Sequence, residues 1–106
     1  MLKPAVFHIL LALGDHELHG LGIAEWIEQT TGGAVELGPG TLYRSLKEMV
    51  DDGLIRESAA PADDVDPRRK YYAITWNGRR AAAGEAARLE RLVQVARERK
   101  LLPERA

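Results

Sequence analysis

Four side chains that can donate hydrogen bonds lie close together just after the stretch Gly38-Pro39-Gly40. Guanidinium, ammonium and hydroxyl groups bind phosphate oxygens, and a guanidinium also fits the paired acceptors on the major-groove edge of guanine. The acidic residues of this segment begin only at Glu48, so its first turns are cationic and its last turns are anionic. These first turns, with Gly40 at their start, are therefore a candidate surface for a polyanion. The four side chains are Thr41, Tyr43, Arg44 and Lys47.

The spacing of apolar residues predicts the helix that positions these groups. At about 100° per residue, one apolar face is formed by Leu42, Leu46, Met49 and Val50. We predict a helix from Pro39 to Asp52, with Gly53 as a left-handed stop. Backbone N–H groups at such a helix start attract phosphate, and a helix that enters the major groove by its first residues needs this arrangement.

A solvated face is the alternative interpretation of the same residues. Arg44 and Glu48 are (i, i+4) neighbours that can pair on the helix surface. Lys47 and Asp51 have the same spacing. The segment alone does not decide between this interpretation and a binding surface.

The rest of the chain predicts a mainly helical protein with one β-hairpin. Periodicity and turn residues predict helices over Pro4–Leu13 and 21–30, a short strand at Val35 and Leu37, a hairpin of strands Leu54–Glu57 and Arg69–Thr75, and a long helix from Asn77 to Pro103.

The last predicted helix carries a seam of small and branched apolar residues at heptad-type spacing. Its members are Ala82, Ala86, Leu89, Val93 and Ala96. Because this helix extends past what a compact three-helix core needs, we expect the seam to pack against a second copy of the chain.

Composition limits the classes of protein that the chain can belong to. With 106 residues and no cysteine, it fits one domain without disulfides or thiolate metal sites, and no apolar stretch is long enough to span a bilayer. The net charge of −1 is unevenly spread: residues 1–38 hold one Lys/Arg against five Asp/Glu, and residues 81–106 hold six against four. No signal-peptide pattern is present at the start, so we expect a cytoplasmic protein that meets polyanions through local clusters of charge.

We expect that the protein is not an enzyme and that it has neither a cofactor nor a metal site. No P-loop, serine elbow or pair of catalytic carboxylates appears in the sequence. One polar stretch carries side chains that can bind metal ions, and a solvated turn is favoured over a metal site as its interpretation. Its residues are Asp15, His16, Glu17 and His19.

The stretches "GPGTLYRSLKEMVDDGLI" and "RRKYYAITWNGRRAA" resemble the PadR-like family of bacterial winged-helix transcriptional regulators, and the resemblance covers nearly the whole chain. It implies a winged helix-turn-helix domain over residues 1–75 and a single C-terminal dimerisation helix over residues 76–106, as in the shorter members. The family resemblance also implies a homodimer whose third helix enters the major groove of double-stranded DNA while the hairpin, or wing, touches the flanking backbone. We therefore predict a repressor on a pseudo-palindromic operator, with a small apolar effector as a candidate for releasing it.

Two features depart from the family pattern. Where many relatives carry a Gly-Tyr-Glu-Ile type run, this chain has Gly20-Leu21-Gly22-Ile23, which should loosen the start of the second helix. The wing tip, Asp63-Asp64-Val65-Asp66, is acidic, so we expect it to bend away from phosphates. The residues of the wing that remain available to contact the DNA backbone are Arg68, Arg69 and Lys70. The alternative is that these cations pair with the aspartates of the same wing.

Two further interpretations stay open. Trp26 and Trp76 are candidates for the wall of an effector pocket, although core packing for Trp26 and a strand-to-helix contact for Trp76 are favoured. A protein-interaction module with the same winged-helix fold, which does not bind DNA, is the rival function. The acidic wing tip gives that rival its weight.

Overall fold

The computed structural model describes residues 1–103 and confirms a mainly helical fold with a small antiparallel sheet. In chain order the elements are α1 (Pro4–Ala12), β1 (Leu18–His19), α2 (Gly20–Thr30), α3 (Pro39–Asp51), β2 (Ile55–Ser58), β3 (Tyr71–Ile74) and α4 (Trp76–Glu98). The last residues of the predicted dimerisation helix, 104–106, lie outside the described residues. The proposed domain boundary at residue 75 stays a prediction.

The core forms where α1, α2 and α3 pack against one another and against the sheet. Each helix buries apolar side chains along one face and removes them from water, whereas Leu11 of α1 and Leu21 of α2 stay exposed. The largest fully buried side chains are Ile9, Leu10, Leu13, Ile23, Ile27, Leu46, Met49 and Ile55.

The wing is a hairpin of β2 and β3, and β1 adds a third strand on the other edge of β3. Ile55 pairs with Ile74 and Ser58 with Tyr71 in the hairpin, while His19 pairs with Tyr71 from the opposite side. The strand order β1-β3-β2 therefore attaches the start of α2 directly to the central strand of the wing.

A tight junction joins the wing to α4. The Thr75 hydroxyl donates to the carbonyl of Gly53 at 2.6 Å, and the Thr75 N–H donates to the carbonyl of Leu54 at 3.1 Å. One turn later, a Cβ on Gly78 would overlap the Leu54 carbonyl oxygen and lie 2.9 Å from Ile74 Cγ1. Only glycine fits at residue 78 without moving the backbone.

Beyond this junction, α4 leaves the body of the protein and accounts for its elongated shape, with extents of 51 × 26 × 25 Å. The carboxylate of Glu85, which is buried, accepts from the backbone N–H of Leu2 at 3.3 Å and from Arg88 at 2.5 Å. The hydrogen bond from Arg88 holds the pKa of the Glu85 carboxyl below its usual value. These contacts fasten the middle of α4 to the beginning of the chain.

Three details of the sequence-based expectation are wrong. The described structure has no strand at Val35 and Leu37; both side chains are half-buried and pack against the core as part of an irregular segment. Strand β1 was not expected, because its two residues are ordered by pairing with the distant β3. α4 ends at Glu98 rather than Pro103, since Lys100 adopts φ +60° and the Leu101 N–H returns to the carbonyl of Ala96 in a Schellman-type ending.

Candidate nucleic-acid interface

The first half of α3 presents a polar face to solvent from a firmly anchored backbone. Pro39 opens the helix, and Gly53 closes it with φ +75°, as the sequence predicts. Leu42, Leu46 and Met49 are 3%, 1% and 1% exposed, so the opposite face is fixed in the core. All the predicted groove-side residues of the helix are exposed: Gly40, Thr41, Tyr43, Arg44 and Lys47.

The cations of this face have no acidic partner within residues 1–103. Neither Arg44 nor Lys47 forms an ion pair, so the (i, i+4) pairs with Glu48 and Asp51 do not form. The Arg44 guanidinium lies over the first turn of α3, where Nη2 would be 3.9 Å from a Cβ on Gly40. Its charge therefore lies at the same end of the helix as the free N–H groups.

The basic residues at the base of the wing are in a different situation, because each one contacts an acid. Arg68 lies 3.4 Å from Asp66. Arg69 lies 3.7 Å from the carboxylate of Asp64. Lys70 lies 3.6 Å from Glu57 on β2. Pairing with the aspartates of the wing, the alternative raised from the sequence, is thus present for Arg68 and Arg69, whereas Lys70 pairs with a glutamate of β2.

Asp64 folds inward from the wing tip and organises this pairing. Its carboxylate side chain is 3% exposed, accepts the Tyr71 hydroxyl and accepts the Asp66 N–H at 2.7 Å. The hydrogen bond from Tyr71 is the main cause that lowers the pKa of Asp64, and the same bond raises the pKa of Tyr71. Part of the acidic tip is therefore turned toward the wing's own strand.

His19 connects this wing cluster to the start of α2. Its Nδ1 accepts the Gly22 N–H at 3.1 Å as the helix N-cap, and its Nε2 lies 3.3 Å from Arg69 Nη1. The ring also meets Tyr71 edge-on, with centroids 5.3 Å apart. The interpretation of His19 as part of a solvated turn is wrong. Histidine is not among the usual N-cap residues, so the sequence carried no local signal for this role.

A cavity of about 590 Å³ lies between the start of α2, the side of α3 and the wing base. Its walls bring together the predicted DNA contacts Tyr43, Lys47, Arg69 and Lys70. Sequence reasoning had not connected the start of α2 with this surface. The other lining residues are His19, Gly20, Leu21, Val50, Asp51, Glu57 and Tyr72.

The two tryptophans lie outside this cavity. Trp26 is half-buried and packs against the core, while Trp76 is 70% exposed with the Arg80 guanidinium 4.8 Å from its ring centroid. The effector pocket assigned to them stays a prediction.

The seam of α4 is only partly covered by its own chain. Ala82 packs against the core, Leu89 and Ala96 are half-buried, and Ala86 and Val93 are exposed. Sequence reasoning did not include Leu92 and Val95, which are 52% and 39% exposed. The outer half of α4 thus carries apolar side chains that the described chain leaves in contact with water.

Two kinds of feature are absent from the part of the chain that the structure describes. Residues 1–103 contain no cluster of three or more acidic or histidine side chains arranged to bind a metal ion. They also contain no helix with the length and apolar character needed to cross a bilayer.

Comparison with known proteins gives both a family and a fold. Residues 9–84 match the model of the transcriptional regulator PadR-like family. The chain is also similar to an uncharacterised 37.1 kDa protein in transposon TN4556 of Streptomyces fradiae, at 36% identity over 84 residues. That alignment covers 79% of this chain but 22% of the relative, so the chain spans about a fifth of the relative's length.

Two solved structures have the same fold. A PadR family transcription regulator from hypervirulent Clostridium difficile R20291 gives a TM-score of 0.76 at 24% identity, over 91% of this chain and 97% of that one. Bacillus subtilis PadR, solved in complex with operator DNA, gives 0.69 at 21% identity, over 79% and 47%.

Proposed function

Because this chain belongs to the PadR-like family of transcriptional regulators, we propose that it is a DNA-binding repressor that occupies a pseudo-palindromic operator as a homodimer. In this proposal α3 enters the major groove by its first turns and the wing lies along the flanking backbone. The operator complex of the structurally similar Bacillus subtilis PadR is consistent with this assignment. The cytoplasm is the compartment in which such a regulator would meet its DNA.

The observation that carries the proposal is the exposed, unpaired cationic start of α3. Arg44 and Lys47 have no ion pair within the described chain, so binding a phosphate or a base edge does not require them to leave another partner. The buried stripe beneath them fixes the helix, which limits the conformational entropy lost on binding. Thr41 and Tyr43 add hydroxyl donors on the same exposed face.

The wing makes the secondary contribution in this proposal. Arg68, Arg69 and Lys70 contact the DNA backbone only by exchanging their present carboxylate partners for phosphates. Arg68 and Lys70 can exchange readily, because both are strongly exposed and surface pairs contribute about 0 to 1 kcal/mol.

Dimerisation through α4 is supported by the exposed apolar residues of its outer half. A charge at Val93 is expected to yield monomers because it would be buried without a partner in the seam. Light scattering of Val93→Glu checks this, with Gln94→Glu as a control that adds the same charge at the neighbouring position. An unchanged mass for Val93→Glu would contradict the assigned seam.

The small apolar effector is the least supported part of the proposal. If Trp26 and Trp76 enclose an effector site, the dimer must complete it, since Trp76 is largely exposed in one chain. A panel of apolar compounds that changes neither tryptophan fluorescence nor DNA affinity would argue against the site.

Titration with labelled duplexes covering the DNA around its own gene tests the main proposal. Specific binding should weaken as salt rises from about 50 to about 200 mM, with a log–log slope of roughly −0.9 per neutralised phosphate. A scrambled duplex of equal length is the matched control. Absence of a specific complex, or a complex indifferent to salt, would contradict DNA binding.

A protein-interaction module is the second candidate, and one observation favours it. All three cations at the wing base are already paired with acids of the same chain, which lowers the positive potential that the wing offers to DNA. The titration separates the two candidates, because the interaction module predicts no salt-dependent binding to any duplex.

A further inference from the structure

The ring of Tyr43 on α3 rests directly on the backbone of Gly20 at the start of α2. A Cβ added to Gly20 would lie 2.6 Å from Tyr43 Oη and 2.9 Å from both Cε1 and Cζ. Protein Cβ atoms do not approach other heavy atoms this closely, so any side chain at residue 20 would displace the ring. Gly20 is itself buried, while Tyr43 is 53% exposed, so one part of the ring packs and the rest faces solvent.

Backbone conformation does not explain a glycine at this position. The glycines with positive φ in residues 1–103 are Gly32, Gly33 and Gly53, so Gly20 adopts a conformation open to other residues. Glycine also weakens a helix more than other residues except proline. The close approach of Tyr43 is therefore the feature of the structure that requires glycine at position 20.

We infer that Gly20 is a positioning residue for DNA recognition, because it leaves the space that sets the direction of the Tyr43 phenol. This inference rests on the proposed function, in which Tyr43 is a groove-side residue. A tyrosine side chain has two rotatable torsions, and packing one part of the ring against a rigid backbone restricts both. The hydroxyl, which lies against Gly20, is then held in place before DNA arrives, in the cavity that Tyr43 and Lys47 both line.

Gly22 provides a matched control in the same turn of α2. A Cβ there would meet His19 Cε1 and Leu18 Cδ2 at 3.6 Å, an ordinary van der Waals separation. Gly20→Ala and Gly22→Ala make the same chemical change, and both reduce the backbone freedom of the unfolded chain. They differ in whether the new methyl group collides with Tyr43.

The test measures operator affinity for Gly20→Ala, Gly22→Ala, Tyr43→Ala and the Gly20→Ala/Tyr43→Ala double variant. Gly20→Ala should weaken specific binding by about tenfold, within the range of coupling between contacting residues, while Gly22→Ala leaves it within about twofold. In the Tyr43→Ala background, Gly20→Ala should have almost no further effect, because no ring remains to be displaced. An equal loss in both backgrounds, or an equal loss from Gly22→Ala, would overturn the inference.

A second readout does not need DNA. With fluorotyrosine incorporated and the Tyr43 signal identified by its absence in Tyr43→Phe, Gly20→Ala should shift that ¹⁹F resonance and Gly22→Ala should not. An unmoved resonance in Gly20→Ala overturns the inference by itself. A moved resonance in a protein that binds no duplex would remove both the operator function and the recognition role of Gly20, and leave only the packing contact.

Folding is checked by thermal unfolding of the same variants. If Gly20→Ala lowers the melting temperature, Tyr43→Ala should restore part of it, since the collision is relieved. A melting temperature that falls further in the double variant by the sum of the single effects would contradict the collision.

Discussion

The first turns of α3 and the base of the wing carry similar cations but hold them in opposite ways. Arg44 and Lys47 on α3 have no ion pair within residues 1–103, whereas every cation at the wing base contacts a carboxylate of the same wing. A count of basic residues would rank the wing above the helix. The proposed function ranks them the other way, because a cation that is already paired must exchange its partner to bind DNA.

Among the predicted changes, the largest is expected when a buried side chain that packs α3 against the core is removed. Leu46 is 1% exposed, so Leu46→Ala should lower the free energy of unfolding by about 2 to 5 kcal/mol through lost burial and a cavity. Urea denaturation measures the change. Lys47→Ala, one residue away on the exposed face, should stay within about 0.5 kcal/mol of the parent. Equal losses would show that the two faces are assigned incorrectly.

Arg44→Ala tests the α3 side of the comparison directly. If Arg44 contacts a base, its loss should weaken specific binding by about 1 to 3 kcal/mol and relax the preference for one base pair. If it contacts a phosphate, all duplexes should weaken about equally and the salt slope should become shallower by about 1. Anisotropy titrations on operator and scrambled duplexes distinguish these results. If neither the affinity nor the salt slope changes, Arg44 lies on a solvated face and does not contact DNA.

The stability of the wing depends on the carboxylate of Asp64 and therefore on pH. The pKa of Asp64 is lowered in the folded protein from an ordinary value of 3.8, so its stabilisation is present above about pH 4 and is lost as pH falls through the folded-state value. Tyr71 has a raised pKa, so the matching contribution is lost as pH rises above 10.0. Between these limits the hydrogen bond of Tyr71 to Asp64 should be insensitive to pH.

Thermal unfolding of Asp64→Asn measures this effect. Its melting temperature should lie below that of the parent at pH 7, and the gap should narrow progressively as pH falls below about 4 and through the lowered pKa of the folded carboxyl. Asp63→Asn removes the neighbouring charge from an exposed position and should show little gap at either pH. A gap for Asp64→Asn that is as large at pH 3 as at pH 7 would mean that its charge is not what stabilises the wing tip.

Arg68→Ala should have the smallest effect. Its side chain is 90% exposed and its partner Asp66 is close by, so losing the pair costs about 0 to 1 kcal/mol of stability and a comparable amount of DNA affinity. The same titrations measure it beside Arg44→Ala. A loss as large as that of Arg44→Ala would reverse the ranking of helix and wing.

The parts of the fold that depend on local periodicity could be predicted from the sequence. The stripe of Leu42, Leu46 and Met49 identifies α3 and its buried side, and Gly53 ends the helix where a left-handed residue is needed. The strand β1 could not be predicted in this way, because two residues become a strand only when β3 lies beside them. The alternation at Val35 and Leu37 misled for the same reason, since no neighbouring strand meets that segment within the described chain.

The candidate site was predictable to the same extent. Helical spacing alone predicts the exposure of Thr41 and Arg44, and the structure agrees. The sequence left the wing cations undecided between DNA and the nearby aspartates, because that choice depends on how the loop turns Asp64 toward Tyr71. The contact between Gly20 and Tyr43 joins separate helices, so no spacing rule could have revealed it.

The junction at Gly78 has a mechanical consequence for the whole molecule. With Gly78 against the Leu54 carbonyl and Thr75 bonded to Gly53, α4 meets the exit of α3 without slack, and the hydrogen bond from Leu2 to Glu85 fixes the same helix again before its outer half projects. We therefore expect the part of α4 between Gly78 and Glu85 to move with the wing and the end of α3 as one unit. The contact at Gly78 is steric, so we expect it to be unaffected by the salt and pH that alter the ion pairs of the wing.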